Sequence, residues 1–187
     1  MSATHSNSLV LVWQVAQFEA RHLNAAALGP THLLLGLCKI VDLDLPALVS
    51  NTAPDRDMVL EECLREIRKL RTVFRTAQVD PMLLRRNLRR SQPERRFQLD
   101  ESERLRRTPE AKRVFADAEH FAELTVGVVY PVHLLYACLL AEDEHCDATF
   151  TSLGIDKKRL LTVAKRQVGL PALDAATGSK PPRARWN

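Results

Sequence analysis

Two histidines are the first residues whose type and spacing could do chemistry. His32 and His133 sit in matching settings, Pro30-Thr31-His32-Leu33-Leu34 and Pro131-Val132-His133-Leu134-Leu135. Such a pair could hold a metal or move protons. A catalytic imidazole, however, needs a nucleophile or carboxylate beside it, and neither segment supplies one. Near the start of an apolar helix, each imidazole is expected to satisfy a local hydrogen bond instead. His120, His145 and Cys146 fit no standard zinc spacing. The sequence has no G-x-S-x-G turn and no cysteine–histidine signature. Glu61-Glu62 and Glu142-Asp143-Glu144 read as solvated charge. The expectation is no catalytic residue, no metal site and no cofactor.

The arginines are the second group. Net charge is +4, and Arg65 to Arg107 carries most of the excess, with doublets at Arg85-Arg86, Arg89-Arg90, Arg95-Arg96 and Arg106-Arg107. Arg85, Arg86, Arg89 and Arg90 recur at helical spacing and could contact the phosphates of a polyanion. Glu94, Asp100, Glu101 and Glu103 dilute that charge, and Phe97 is the one aromatic residue interleaved with it. A charged connector is therefore the expected role. Nucleic acid or an acidic protein surface is the alternative partner.

Helices must position these groups. The 187 residues are 45% hydrophobic and 27% charged but only 5% aromatic, so the core rests on Leu, Val, Ile and Ala, with few β-branched runs. Apolar spacing predicts a helix over 8–23, a central helix from Pro30 and an amphipathic helix over 55–74. Asp80-Pro81 starts a basic helix through Leu83, Leu84 and Leu88. Residues 91–107 read as a solvated linker, and the leucines of that basic helix as an exposed stripe able to pair two chains. Thr108-Pro109-Glu110 restarts the pattern, Pro131 opens a second apolar helix, and Asp156 caps a last one that stops at Gly169. The tail, 170–187, is expected to be flexible. No apolar stretch reaches the roughly 20 residues that cross a membrane, and no secretory signal is evident, so the expected location is cytoplasmic. The four cysteines form no C-x-x-C pair and read as reduced thiols.

The chain repeats itself at an offset of about 100 residues. Ala16-x-x-x-Ala20 precedes Gly29-Pro30-Thr31-His32-Leu33-Leu34, and Ala118-x-x-x-Ala122 precedes Tyr130-Pro131-Val132-His133-Leu134-Leu135. At these residues, and at Thr108-Pro109-Glu110-Ala111-Lys112-Arg113-Val114, the sequence resembles the double-repeat N-terminal domain of Clp-type unfolding ATPases, the Clp R family. The resemblance implies an all-α fold of two pseudo-symmetric repeats. The expected division is repeat one over 6–74, a basic helical insert over 75–107 and repeat two over 108–169. It also implies an ATPase engine, but the sequence has no phosphate-binding loop, so a stand-alone module is expected. Some members of the family bind phosphorylated arginine through the Glu before the repeated His. Those positions are Thr31 and Val132 here, and neither can pair with a guanidinium, so that recognition is expected to be weak or lost. The implied function is a non-catalytic protein- or peptide-binding module of a Clp chaperone–protease system, engaging an adaptor, a substrate or an unfoldase component.

Overall fold

The two apolar helices opened by proline form the centre of the molecule. In the computed structural model, which describes residues 4–48, 55–92 and 105–170, the first half contains β1 (Thr4–His5), α1 (Asn7–His22), α2 (Pro30–Ile40), α3 (Leu45–Leu48), α4 (Arg56–Ala77) and α5 (Pro81–Arg90). The second contains α6 (Pro109–Glu123), β2 (Val128–Val129), α7 (Pro131–Leu140), α8 (Glu144–Ser152) and α9 (Lys157–Val168). Every residue of α2 except Lys39 is buried, as is every residue of α7 except Leu140. Such helices have no polar face to turn to water, so they pack on each other and are covered from outside. The cover is α1 and α5 over α2, and α6 and α9 over α7.

Local chemistry fixes where each helix starts. Ser6 caps α1 by accepting from the Leu9 N–H, Asp80 caps α5, Thr108 caps α6 and Asp156 caps α9. Proline follows in the first turn of α2, α5, α6 and α7, where its missing N–H has no intrahelical partner to lose. The two short strands pair in parallel, Thr4 with Val128 and His5 with Val129, which ties the chain's beginning to the loop before α7.

The small residues of the repeat have a packing reason. Ala16, Ala20, Ala118 and Ala122 are all fully buried. Where α1 crosses α2, a Cβ added to Gly36 would lie 2.7 Å from the Val12 carbonyl oxygen and 3.1 Å from the Ala16 Cβ. The backbones touch there.

The basic helix α5 packs into the core through Leu84 and Leu88. Gln78 adopts a left-handed conformation at φ 60°, and Gly154 does the same at φ 64°. The Gln78 N–H donates to Arg75 O at 3.1 Å and the Val79 N–H to Phe74 O at 2.9 Å. The Gly154 N–H donates to Thr151 O at 3.1 Å and the Ile155 N–H to Phe150 O at 2.9 Å. Each turn then delivers an aspartate cap, Asp80 or Asp156. The chain thus enters α5 and α9 in the same way, α4 corresponds to α8, and packing follows suit: α5 lies on α2 and α8, α9 on α7 and α4. We propose that repeat one runs to the end of α5, so that 75–107 is not a single insert. The leucine stripe is corrected outright. Leu84 and Leu88 are fully buried and only Leu83 is exposed, because the apolar face of α5 is turned into the core. Most of the expected linker (93–104) and the tail from 171 onward lie outside the described residues.

Candidate functional site

Both histidines act as hydrogen-bond acceptors at a helix start. The Gly29 N–H donates to His32 Nδ1 at 3.0 Å, and the Tyr130 N–H donates to His133 Nδ1 at 2.9 Å. These bonds satisfy backbone donors that precede the first helical turn. Burial, helped by the charge of Lys69, lowers the His133 pKa to about 4, so this imidazole is neutral at physiological pH. Its Nε2 lies 3.3 Å from the Thr125 hydroxyl.

A cleft of about 220 Å³ opens beside His32, lined by Gly29 and Thr31 from one half of the chain and by Thr108, Asp143 and His145 from the other. Thr31 is buried at its edge, and its hydroxyl lies 3.0 and 3.1 Å from the two carboxylate oxygens of Asp143. Asp143 also caps α8, accepting from the Cys146 N–H at 3.0 Å. A carboxylate therefore stands beside position 31 although the sequence has none at 31 itself. Val132 is buried as well, within the apolar core. His120 is on α6, whereas His145 and Cys146 are on α8. Among the described residues no three His, Cys, Asp or Glu side chains converge as metal ligands would. Burial pushes all four thiols up, that of Cys63 to about 11, which keeps them protonated at neutral pH and poor as nucleophiles.

The arginines of α5 divide into two pairs. Arg86 and Arg90 are exposed, whereas Arg85 and Arg89 flank the buried face. Arg89 grips Glu19 with two nitrogens at 2.7 and 2.6 Å, and the Glu19 side chain is 0% exposed. Lys39 adds a third contact at 3.5 Å. Arg89 is thus committed to α1, which leaves Arg85, Arg86 and Arg90 for any outside anion.

The architecture has counterparts among solved structures. Over 89% of its length the chain is similar to the N-terminal domain of Hsp104 from Candida albicans, covering 92% of that domain with a TM-score of 0.60 at 18% identity. It is likewise similar to a structure from a malarial protein secretion system, with a TM-score of 0.62 at 18% identity over 88% of this chain and 95% of that one. For the N-terminal domain of the caseinolytic-protease-associated chaperone ClpD from Arabidopsis thaliana, the TM-score is 0.57 at 15% identity, over 88% and 94%. The fold is that of a Clp N-terminal domain. No protein-family model matches the sequence, and no curated protein does either.

Within the Clp N-domain fold, Thr31 and Val132 occupy equivalent places in the first turns of α2 and α7. Sequence reasoning marked both positions but read Asp143 as solvated charge, because the partner that engages it is 112 residues away. A second buried acid also escaped notice. Glu66 of α4 accepts hydrogen bonds from the hydroxyls of Ser6, at 2.9 Å, and Ser8, while its other oxygen is buried with no partner among the described residues. Burial raises its pKa against the lowering effect of the two serines. A raised carboxyl pKa gives stability that is full below the ordinary value of 4.5 and lost as pH rises through the folded-state value. Glu66→Gln is therefore expected to raise the thermal midpoint at neutral pH, with the gain shrinking toward pH 4. Melting curves across that range test it, and a variant less stable at neutral pH would show that the ionised carboxylate is the form the fold prefers.

Among the described residues no helix is long and apolar enough to cross a membrane.

Proposed function

We propose that this chain is a non-catalytic protein- or peptide-binding module that engages adaptors, substrates or components of a Clp chaperone–protease system. The observation that carries this reading is the likeness, over about nine-tenths of the chain, to the N-terminal domains of Hsp104 and of the chaperone ClpD. The cleft at Thr31 supports it, since both halves of the chain line it and a ligand there would contact both at once. Shape and apolar contact would supply the affinity, and no turnover is required.

Affinity capture from native extract with the full chain tests the proposal. The expected result is recovery of Clp unfoldase or protease components, or of their adaptors, unchanged by an Arg85→Ala/Arg86→Ala/Arg90→Ala variant. Recovery of nucleic acid instead, weakening steeply with salt and abolished in that variant, would replace the reading with a polyanion-binding one. Phosphoarginine added to the full chain is expected to give no saturable binding. Thr31 and Val132 carry no charge, and Asp143 is already engaged by Thr31 and the start of α8. Tight binding at either position would restore the family's ligand to this chain.

A further inference from the structure

The long helix α4 carries an open groove of about 340 Å³ along its outer side, lined by Asp57, Leu60, Glu61, Leu64, Arg68 and Arg71. Asp57, Glu61, Leu64, Arg68 and Arg71 follow one another at alternating steps of four and three residues, the spacing that keeps side chains on one seam of a helix. Leu60 and Leu64 are partly exposed, and the four charged residues are exposed. Acids occupy the first part of the seam and arginines the second. Like charges three or four residues apart repel within a helix, so Asp57 with Glu61 and Arg68 with Arg71 are each unfavourable in an isolated chain. The helix dipole favours acids in the first turn and bases in the last, but Glu61 and Arg68 stand in the middle of α4, beyond its reach. Among the described residues neither Glu61 nor Arg68 has an ion-pair partner, and Asp57 touches only its neighbour Arg56, at 3.5 Å. The Arg71 guanidinium is anchored through Nε and Nη2 on the Val41 carbonyl oxygen, which leaves Nη1 for an acid.

A seam with opposite charges at its two ends and leucines between them complements itself. We propose that a second copy of this chain docks here, α4 against α4 in antiparallel order, about a two-fold axis at Leu64. The spacing sets the register. Asp57 stands seven residues before Leu64 and Arg71 seven after it, so each Asp57 faces the partner's Arg71. Glu61 stands three before and Arg68 four after, a misfit of one residue, about 1.5 Å, which two long side chains absorb. Leu60 and Leu64 meet their counterparts at the centre, and the two-fold axis makes every contact twice. Parallel pairing would instead set acid on acid and arginine on arginine. The seam is about 21 Å long at 1.5 Å per residue, so the interface is small and the dimer weak and reversible. No residue of α4 lines the cleft at Thr31, so this pairing and the binding-module reading stand or fall separately.

Sedimentation velocity of the full chain, over a concentration series reaching about 1 mM, is the test. The expected result is a sedimentation coefficient that climbs with concentration toward that of a dimer, with the climb shrinking as salt is raised. Arg68→Glu should weaken association about tenfold or more, because it sets each Glu61 against a second carboxylate. Glu61→Arg should do the same with two arginines. The double exchange Glu61→Arg/Arg68→Glu should restore the dimer, a result that antiparallel pairing predicts and parallel pairing does not. An equimolar mixture of the two single variants should also associate, since one copy then carries the arginines and the other the glutamates. Both positions are exposed, and melting curves check that each variant is folded. A chain that stays monomeric throughout the series would leave the seam to a different protein and overturn the pairing. Association that survives Arg68→Glu unchanged, or a double exchange no better than the single ones, would overturn it as well.

Discussion

Arg89→Ala is expected to lower the stability of the folded chain by about 3 kcal/mol, the lower end of what breaking a buried ion pair costs. For a chain of this size that is a fall of roughly 6–12 °C in the thermal midpoint. The physical reason lies on Glu19, whose side chain is 0% exposed and is held by Arg89 at 2.6 Å and Lys39 at 3.5 Å. Without Arg89 the carboxylate remains buried with one distant cation. Lys39 and the partial exposure of Arg89 keep the loss from being larger. Arg86→Ala, on the outer side of the same helix, should change stability by no more than about 0.5 kcal/mol. Arg89→Lys should fall between the two, because an ammonium cannot reproduce the two-nitrogen grip.

The same pair predicts a pH dependence. Burial alone would raise the Glu19 pKa, but the hydrogen bond and charge of Arg89, with Lys39, outweigh it and the net shift is downward. A lowered carboxyl pKa contributes stability that is full above the ordinary value of 4.5 and lost as pH falls through the folded-state value. The gap between the parent chain and Arg89→Ala should therefore narrow below about pH 4.5. Melting curves of the three variants at neutral and acid pH give both answers. If Arg89→Ala melts no lower than Arg86→Ala, the carboxylate has found water or Lys39, and the pair is not what pins α5 to α1.

Gly36→Ala is the second change with a large expected effect, and intrinsic propensity points the wrong way. In a helix interior alanine is favoured over glycine by about 1 kcal/mol. Here the new Cβ would stand 2.7 Å from the Val12 carbonyl oxygen and 3.1 Å from the Ala16 N and Cβ. Backbone cannot rotate aside as a side chain can, so α1 must move off α2 and loosen the packing around Val12 and Ala16. Overpacking of this kind costs about 1–3 kcal/mol, occasionally more, and exceeds the propensity gain. The thermal midpoint should drop by several degrees, and Gly36→Val should drop it further. In α7 the matching residue is Ala137, itself fully buried. There Ala137→Gly should cost stability, so glycine is worse than alanine in one repeat and better in the other. A stabilised Gly36→Ala would mean that α1 can shift without loss.

How much of this could be read from the chain depended on how far apart the partners are. Proline-opened helices and aspartate caps are local events, and α2, α7 and α9 were legible from them. Membership of α5 in the core was not, because an apolar i, i+4 pair such as Leu84 and Leu88 reads the same on a free helix as on a packed one. One signal was present and unused: Glu19 falls on the buried stripe of α1 with Val12 and Ala16, a position where a charge must have a partner. Its partner is 70 residues away, and no spacing rule reaches that far. Asp143 beside Thr31 is likewise a product of the fold and not of any motif. The turn at Gln78 was hidden for another reason. A glutamine in the left-handed region does not announce a helix end as the glycine at 154 does.

The crossed packing of α5 on α8 and of α9 on α4 has a consequence for inheritance and for folding. The last helix of each half covers its own central helix and also packs on a helix of the other half, so parting the halves would uncover apolar surface on both. A truncated chain carrying one half would present two uncovered apolar faces and would be expected to recruit the missing half from another molecule, by swapping or by complementation with the separate fragment. The duplicated halves are thus bound to change together: a substitution that reshapes α5 is felt by α8 in the other half as well as by α2 in its own. Unfolding should accordingly be a single event, with no stage at which one half survives the loss of its twin.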